Sequence, residues 1–214
     1  MPGYQALFDE IGGAGITILG AARSGLAAAT YLAGKGAEVF ISDTCSTQAL
    51  EMRLASNGLA HLKHEGEGHT DRVLDSNLIV LSPGIPGDIA ILKKAEKLGI
   101  PVWGELELGF RLSDAPFLAV TGSTGKSTTT SLLGAIVVAS GKPTAVCGNI
   151  GTPVSAVAPD VAADGFIVAE VSSFQLETIV NFKPKVACIL NLFKNHLDRY
   201  NGEEEYYNAK KAIA

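Results

Sequence analysis

The chain has 214 residues, 47% of them hydrophobic and 18% charged, with a net charge of -5. That balance suits one large globular domain or two modest ones with well-filled cores. It argues against a nucleic-acid-binding surface as the main business, because phosphate backbones select clustered Lys and Arg. Cys45, Cys147 and Cys188 are far apart and form no CxxC pair, which predicts reduced thiols in a cytoplasmic protein. No basic segment followed by an apolar run opens the chain, and no apolar stretch approaches the roughly 20 residues of a membrane span.

Taken in chain order, short apolar runs alternate with helix-like segments. The runs are "ITIL" from Ile16, "EVFIS" from Glu38, "LIVLS" from Leu78, "FLAVT" from Phe117, "TAVC" from Thr144, "FIVAE" from Phe166 and "VACIL" from Val186. Near-continuous apolar runs suit strands covered on both faces, as in a parallel sheet. Between them, "SGLAAATYLAGKG", "DIAILKKAEKLG" and "KSTTTSLLGAIVVASG" read as helices, each ending at a glycine suited to a C-cap. The alternation predicts doubly wound α/β architecture: a Rossmann-like parallel-sheet domain, then a P-loop-type α/β domain. The polar, proline-terminated "RLSDAP" at 111–116 predicts a boundary, giving domains at 1–113 and 114–214. The final "EEEYYNAKKAIA" reads as a helix still in progress, with acids first, lysines later and no stop, and predicts a fragment of a longer protein.

Two glycine loops follow strands and open helices. In "ILGAARSG", Gly20 and Gly25 take the outer positions of a G-x-G-x-x-G fingerprint, while Ala22 replaces the middle glycine that lets a pyrophosphate approach. Asp43 ends the next strand, where such folds place an acid near a ribose or base. The segment by itself reads equally as a nucleotide turn or as a tight strand–helix turn with a surface acid. In "TGSTGKSTTT", Gly122, Ser123, Thr124, Gly125, Lys126, Ser127 and Thr128 form a phosphate loop two residues tighter than G-x-x-x-x-G-K-[ST]. Its backbone N–H groups and helix N-terminus make an anion site. Lys126 adds a charge for β- and γ-phosphates, and Ser127 or Thr128 offers a hydroxyl to magnesium, so ATP is the expected ligand.

Glu170, at the end of "FIVAE", and His196 with Asp198, just after the 186 run, fall at the strand ends where open α/β sheets hold ligands. A carboxylate and an imidazole there suit metal binding. "HLKHEGEGH" gathers His61, His64 and His69 with Glu65 and Glu67, but it is polar, glycine-rich and without apolar support. It reads as a solvated loop and not as a metal site.

The tight "TGSTGKSTTT" loop, "GNIGTP", "AEVSSFQLE", "NHLDRY" and "YYNAKKAI" occur in the order found in the Mur ligases, which the chain resembles over nearly its whole length. These are ATP-dependent peptide ligases of bacterial cell-wall synthesis. "LGAARSGLAAATYLAGKGAEVFISDT", "LSPGIP" and "GELELGF" resemble the branch of that family that adds D-glutamate to UDP-N-acetylmuramoyl-L-alanine. The resemblance implies three domains: one for the uridine nucleotide, a central ATPase, and a C-terminal domain for which this chain has no counterpart. It implies that Gly20, Ala21, Ala22, Arg23, Ser24, Gly25, Asp43 and Thr44 hold the uridine end, with Ser82, Pro83 and Gly84 near the pyrophosphate. Lys126 would hold ATP phosphates, with Ser127 at a first magnesium and Glu170 and His196 at a second. Asn149, Ser172 and His196 would border the substrate. Lys210, in register with the family's Y-x-x-A-K element, matches its carbamylated lysine. Asn195 departs from the family, which commonly has Asp before the histidine.

The implied chemistry needs no protein nucleophile: the alanyl carboxylate attacks the γ-phosphate, and the amine of D-glutamate displaces phosphate from the acyl phosphate. Two other classes stand beside this reading. A nicotinamide oxidoreductase suits the first domain, against which Ala22 and the phosphate loop both count, and a non-catalytic nucleotide-binding module suits the chain as it stands. Folylpolyglutamate synthases share the ATPase core but usually lack a preceding domain like residues 1–113.

Overall fold

A computed structural model describes residues 6, 7, 9, 15–195 and 199–214. The chain divides into two compact units between Leu108 and Gly109.

The first unit is built on a five-stranded parallel sheet of order β3-β2-β1-β4-β5. Its strands are β1 (Gly15–Leu19), β2 (Glu38–Ser42), β3 (Lys63–Glu65), β4 (Leu78–Leu81) and β5 (Val102–Gly104). Helices α1 (Arg23–Gly34), α2 (Thr47–Ser56) and α3 (Ala90–Lys97) connect them, and α4 (Glu105–Arg111) follows β5. The inner strand β4 is buried at every position, as expected for a strand sheltered on both faces. Leu19, Ile79, Leu81, Ile91, Leu92 and Ala95 form one such layer, and each fully buried Leu or Ile contributes roughly 1.5–3 kcal/mol. The chain leaves β1 towards β2 and leaves β4 towards β5 on the other side. Adjacent β1 and β4 therefore bracket a topological switch point, where the C-terminal strand ends open a crevice.

The second unit carries a parallel sheet of order β7-β8-β6-β9. Its strands are β6 (Phe117–Thr121), β7 (Thr144–Gly148), β8 (Phe166–Glu170) and β9 (Val186–Ile189). Helix α5 (Lys126–Ala139) follows β6, the short α6 (Val154–Val157) follows β7, α7 (Ser173–Leu176) follows β8, and α8 (Glu203–Lys211) comes last. Phe110, Phe117 and Phe182 pack edge to face with centroids 5.4–5.6 Å apart at the start of β6.

All seven apolar runs are strands, and the three expected helices close on Gly36, Gly99 and Gly141 with φ of 89°, 71° and 80°. One expectation is corrected. The segment around His64 is not a solvated loop: Lys63–Glu65 is an edge strand paired with β2, and its polar residues bond back to Ser42. The final segment, read as a helix in progress, is a helix over Glu203–Lys211 with Ala212 as its C-cap. Helices α2 and α4 and strand β5, absent from the sequence reading, complete the first unit. No helix among the described residues is long and apolar enough to cross a membrane.

Candidate functional site

In the first unit, a cavity of about 460 Å³ lies at the switch point and is lined by Gly20, Ala22, Asp43, Thr44, His69, Ser82 and Gly84 among others. A second cavity of about 460 Å³ opens at the N-terminal ends of β1, β2 and β3, around Gly15, Phe40, Lys63 and Arg72. The glycine turn and the start of α1 face the first cavity, so that one is the candidate site.

The turn is shaped by close packing. A Cβ on Gly25 would lie 1.9 Å from the Gly20 carbonyl oxygen, so only glycine lets the helix start this near the strand end. Ser82 donates its hydroxyl to the same carbonyl at 2.8 Å. The Asp43 carboxylate accepts the Ala21 N–H at 2.6 Å and the Cys45 N–H at 2.8 Å, tying the ends of β1 and β2 together. Burial pushes this carboxyl up, but those two N–H groups and the Arg53 guanidinium, 3.9 Å away, outweigh it and hold it below its ordinary value. Ala22 caps α1 without a side-chain bond, and Arg23 and Thr44 are exposed.

In the second unit, Gly125 takes a left-handed conformation (φ 78°) as the N-cap of α5 and turns the chain out of the strand. The N–H groups of Lys126, Ser127 and Thr128 form the first turn and have no acceptor inside the helix. The Ser127 and Thr128 side chains are exposed. Lys126 curls over the loop and donates from Nζ to the carbonyls of Gly122 at 2.9 Å and Ser123 at 3.1 Å.

Asn191, just past β9, was not singled out in the sequence and does most to fix this loop. Its Oδ1 accepts the N–H groups of Ser123 at 3.1 Å and Thr124 at 3.0 Å, while its Nδ2 donates to the Thr124 carbonyl at 3.1 Å. The signal was an asparagine at a C-terminal strand end, within a segment where His196 drew the attention. Ser123 is turned inward: its buried hydroxyl bonds the Phe193 N–H at 2.8 Å and meets the Tyr206 hydroxyl at 3.1 Å.

Glu170 and Lys210 are both buried, at 1% and 2% exposure. Glu170 Oε1 accepts from Asn149 Nδ2 at 2.6 Å, whereas Oε2 has no hydrogen-bond partner among the described residues. Asn149 is brought there by Gly148, whose absent Cβ leaves room for the Glu170 carbonyl 2.3 Å from that position. Lys210 donates to the Thr121 hydroxyl at 3.3 Å and lies 4.9 Å from the Tyr206 ring centroid. Burial first, then the neighbouring Lys126 charge, lowers its pKa to about 8, with Glu170 opposing. Lys211 is exposed and bonds only its helix neighbour Asn208, at 3.3 Å, among the described residues.

Lys126, Glu170, Asn149 and Lys210 are thus gathered beside one loop. Ser172 is half-buried and used as a helix cap: its hydroxyl accepts the Gln175 N–H at 3.3 Å in a capping box. His196 and Asp198 lie outside the described residues.

Residues 14–104 match the family described as "Mur ligase MurD-like, N-terminal domain", and residues 120–214 match "Mur ligase middle domain". The chain is 44% identical over 208 residues to the UDP-N-acetylmuramoylalanine--D-glutamate ligase of Koribacter versatilis, covering 95% of this chain and 45% of that protein. It is also 44% identical over 206 residues to the enzyme of that name from Shouchella clausii, covering 96% and 46%. The chain therefore spans about 45% of the length of the curated relatives it matches. Among solved structures, the UDP-N-acetylmuramate-alanine ligase MurC from Thermotoga maritima superposes with a TM-score of 0.55 at 21% identity, over 93% of this chain and 46% of that one. The UDP-N-acetylmuramate:L-alanyl-gamma-D-glutamyl-meso-diaminopimelate ligase from Neisseria meningitides gives 0.58 at 18% identity, over 93% and 68%. These two show the fold.

Proposed function

The chain belongs to the Mur ligase family, and from that premise we propose that it supplies the two nucleotide sites of a cytoplasmic D-glutamate ligase. In this reading the whole protein joins D-glutamate to UDP-N-acetylmuramoyl-L-alanine at the expense of ATP, in peptidoglycan precursor synthesis. The observation that carries the proposal is the gathering of Lys126, Glu170 and Lys210 beside a glycine loop with unused first-turn N–H groups.

The first cavity takes the uridine nucleotide. Gly20 to Gly25 set the floor, Asp43 and Thr44 the uridine end, and Ser82 to Gly84 the pyrophosphate side. In the second unit, the N–H groups of Lys126, Ser127 and Thr128 receive the ATP phosphates. The Lys126 ammonium releases its two loop carbonyls to pair with them. Asn149, Ser172 and His196 border the acceptor carboxylate.

The donor set fits magnesium. Glu170 Oε2 is a buried carboxylate oxygen with no hydrogen-bond partner among the described residues, and a hard oxygen ligand of that kind suits this cation. Ser127, Glu170, His196 and a carbamate on Lys210 would hold it at two sites. When bound, magnesium neutralises charge that develops on the transferred phosphoryl group. Lys210 suits carbamate formation because carbon dioxide adds only to a neutral amine, and a pKa of about 8 leaves more of that form at neutral pH than an ordinary lysine has. The residues of this chain otherwise act by placement: they hold the alanyl carboxylate in line with the γ-phosphate and stabilise the acyl phosphate until D-glutamate displaces phosphate.

Calorimetric titration tests the reading. Saturable binding of UDP and of magnesium–ATP is expected, without saturable binding of NADH. Binding of NADH in place of UDP would return the first unit to the oxidoreductase alternative. These 214 residues, about 45% of the relatives' length, are expected to form no peptide bond alone, and turnover by them would overturn that expectation.

A further inference from the structure

Resting on the uridine reading of the first cavity, we infer that His69 selects the base: its Nε2 accepts the N3–H of uracil and rejects cytosine. His69 lines the cavity beside Asp43 and Thr44, yet nothing in its sequence context marked it as a ligand contact.

The hydrogen-bond network around Ser42 fixes which ring nitrogen carries the proton. The fully buried Ser42 hydroxyl lies 2.8 Å from Glu65 Oε1 and 2.7 Å from His69 Nδ1. A hydroxyl has one hydrogen to give, and an ionised carboxylate can only accept. Burial raises the Glu65 carboxyl, but bonds from Thr70 and Ser42 and the nearby Arg72 charge outweigh it, so Glu65 is ionised at neutral pH. Its oxygens also accept the Thr70 N–H at 2.9 Å and the Thr70 hydroxyl at 2.6 Å. The Ser42 hydrogen therefore goes to Glu65. The Ser42 oxygen is left to accept, so His69 must donate from Nδ1.

Burial holds the imidazole below its ordinary pKa against the attraction of Asp43 and Glu65, and the ring is neutral at pH 7. Nε2 then presents a bare lone pair on the ring edge away from Ser42, with no partner among the described residues. Asp43 differs, since each of its oxygens already accepts a backbone N–H. His69 thus offers a neutral ring-nitrogen acceptor on this wall. Uracil offers N3–H between two carbonyls, whereas cytosine offers an unprotonated N3, which would set two lone pairs against each other. A site built to accept a hydrogen bond rejects the analogue that lacks the donor.

The test compares UDP and CDP binding to the intact chain by calorimetry. Wild type should prefer UDP by about tenfold or more, the scale of one buried hydrogen bond. His69→Asn keeps an N–H for Ser42 and deletes the Nε2 acceptor, so the ratio should fall towards one. His69→Gln puts a carbonyl oxygen near the Nε2 position and should retain much of the preference while losing the tie to Ser42. The opposite order, with Asn preserving the ratio and Gln weakening both ligands alike, would show a purely structural histidine and overturn the inference. Equal wild-type binding of UDP and CDP would overturn it without any variant and leave the uridine reading standing. No UDP binding at all would remove that reading and this inference with it.

Discussion

Gly20–Gly25 and Gly122–Thr128 both carry a buried strand into a helix, but they use their backbone groups differently. In the first loop the Ala21 N–H goes to Asp43, the Gly20 N–H goes to the Ser42 carbonyl at 2.8 Å, and the Gly20 carbonyl takes the Ser82 hydroxyl. The strand end of this turn is tied to the neighbouring strand ends, and Gly25 serves close packing. In the second loop Asn191 holds only Ser123 and Thr124, and the donors from Lys126 onward open α5 with a lysine folded among them. A glycine fingerprint reports close approach of backbone. The ligand is decided by which N–H groups remain and by whether a cation stands beside them.

Exchanging glycine for alanine should break this comparison most sharply. Gly25→Ala drives a Cβ into the Gly20 carbonyl at 1.9 Å, an overlap of backbone that no rotamer relieves. We expect a loss of about 3 kcal/mol or more from the first unit. Gly125→Ala meets only Leu190 Cδ1 at 3.7 Å, and its cost is the left-handed backbone alone, about 1–2 kcal/mol. Urea unfolding of both variants, followed by probes in each unit, would contradict this if the order were reversed.

Lys210 gives the second site a charge conflict that the first does not share. Its pKa is lowered from 10.5 to about 8, so between those values the unfolded chain holds a proton that the folded chain has released. Stability must rise with pH through that window, by up to about 3 kcal/mol. Lys210→Met removes the group at similar volume. The variant's advantage over wild type in urea midpoint should shrink between pH 7.5 and 10, and parallel profiles would refute the argument. If the whole protein is the ligase proposed above, Lys210→Ala should lose most of its activity while Lys211→Ala keeps most of it.

Two smaller effects sharpen the contrast in ligand binding. Lys126→Ala should weaken magnesium–ATP binding on the order of a hundredfold with little change in melting temperature, since Nζ holds only two loop carbonyls. Asn191→Ala should weaken it about tenfold and also lower stability, because two loop N–H groups lose their acceptor. UDP affinity should be unchanged in both, as read by calorimetry.

The inner strands and the helices that end in glycine were legible because burial on both faces writes continuous apolar runs. Strand β3 was not, because an edge strand of Lys63, His64 and Glu65 has no apolar signal. Helix α2 buries only Leu50 and Leu54, though Ser46 marks its start by accepting the Ala49 N–H. Lys126, Glu170 and Lys210 could be named from motif and register. The bonding of Asn191 and His69 could not be read there, because it depends on partners far away in sequence: Ser123 and Thr124 for one, Ser42 for the other. Hydrogen-bond networks of that kind exist only once the strand ends are brought side by side.

The most direct test of the division between the two loops is an amide-resolved NMR titration of the labelled chain, first with UDP and then with magnesium–ATP. UDP should move the amides of Gly20, Asp43, Thr44 and Gly84, and magnesium–ATP those of Gly125, Lys126, Ser127 and Thr128, each set saturating independently. Saturable ATP shifts at the first loop with none at the second, or shifts with NADH but not UDP around Gly20 and Asp43, would contradict the account.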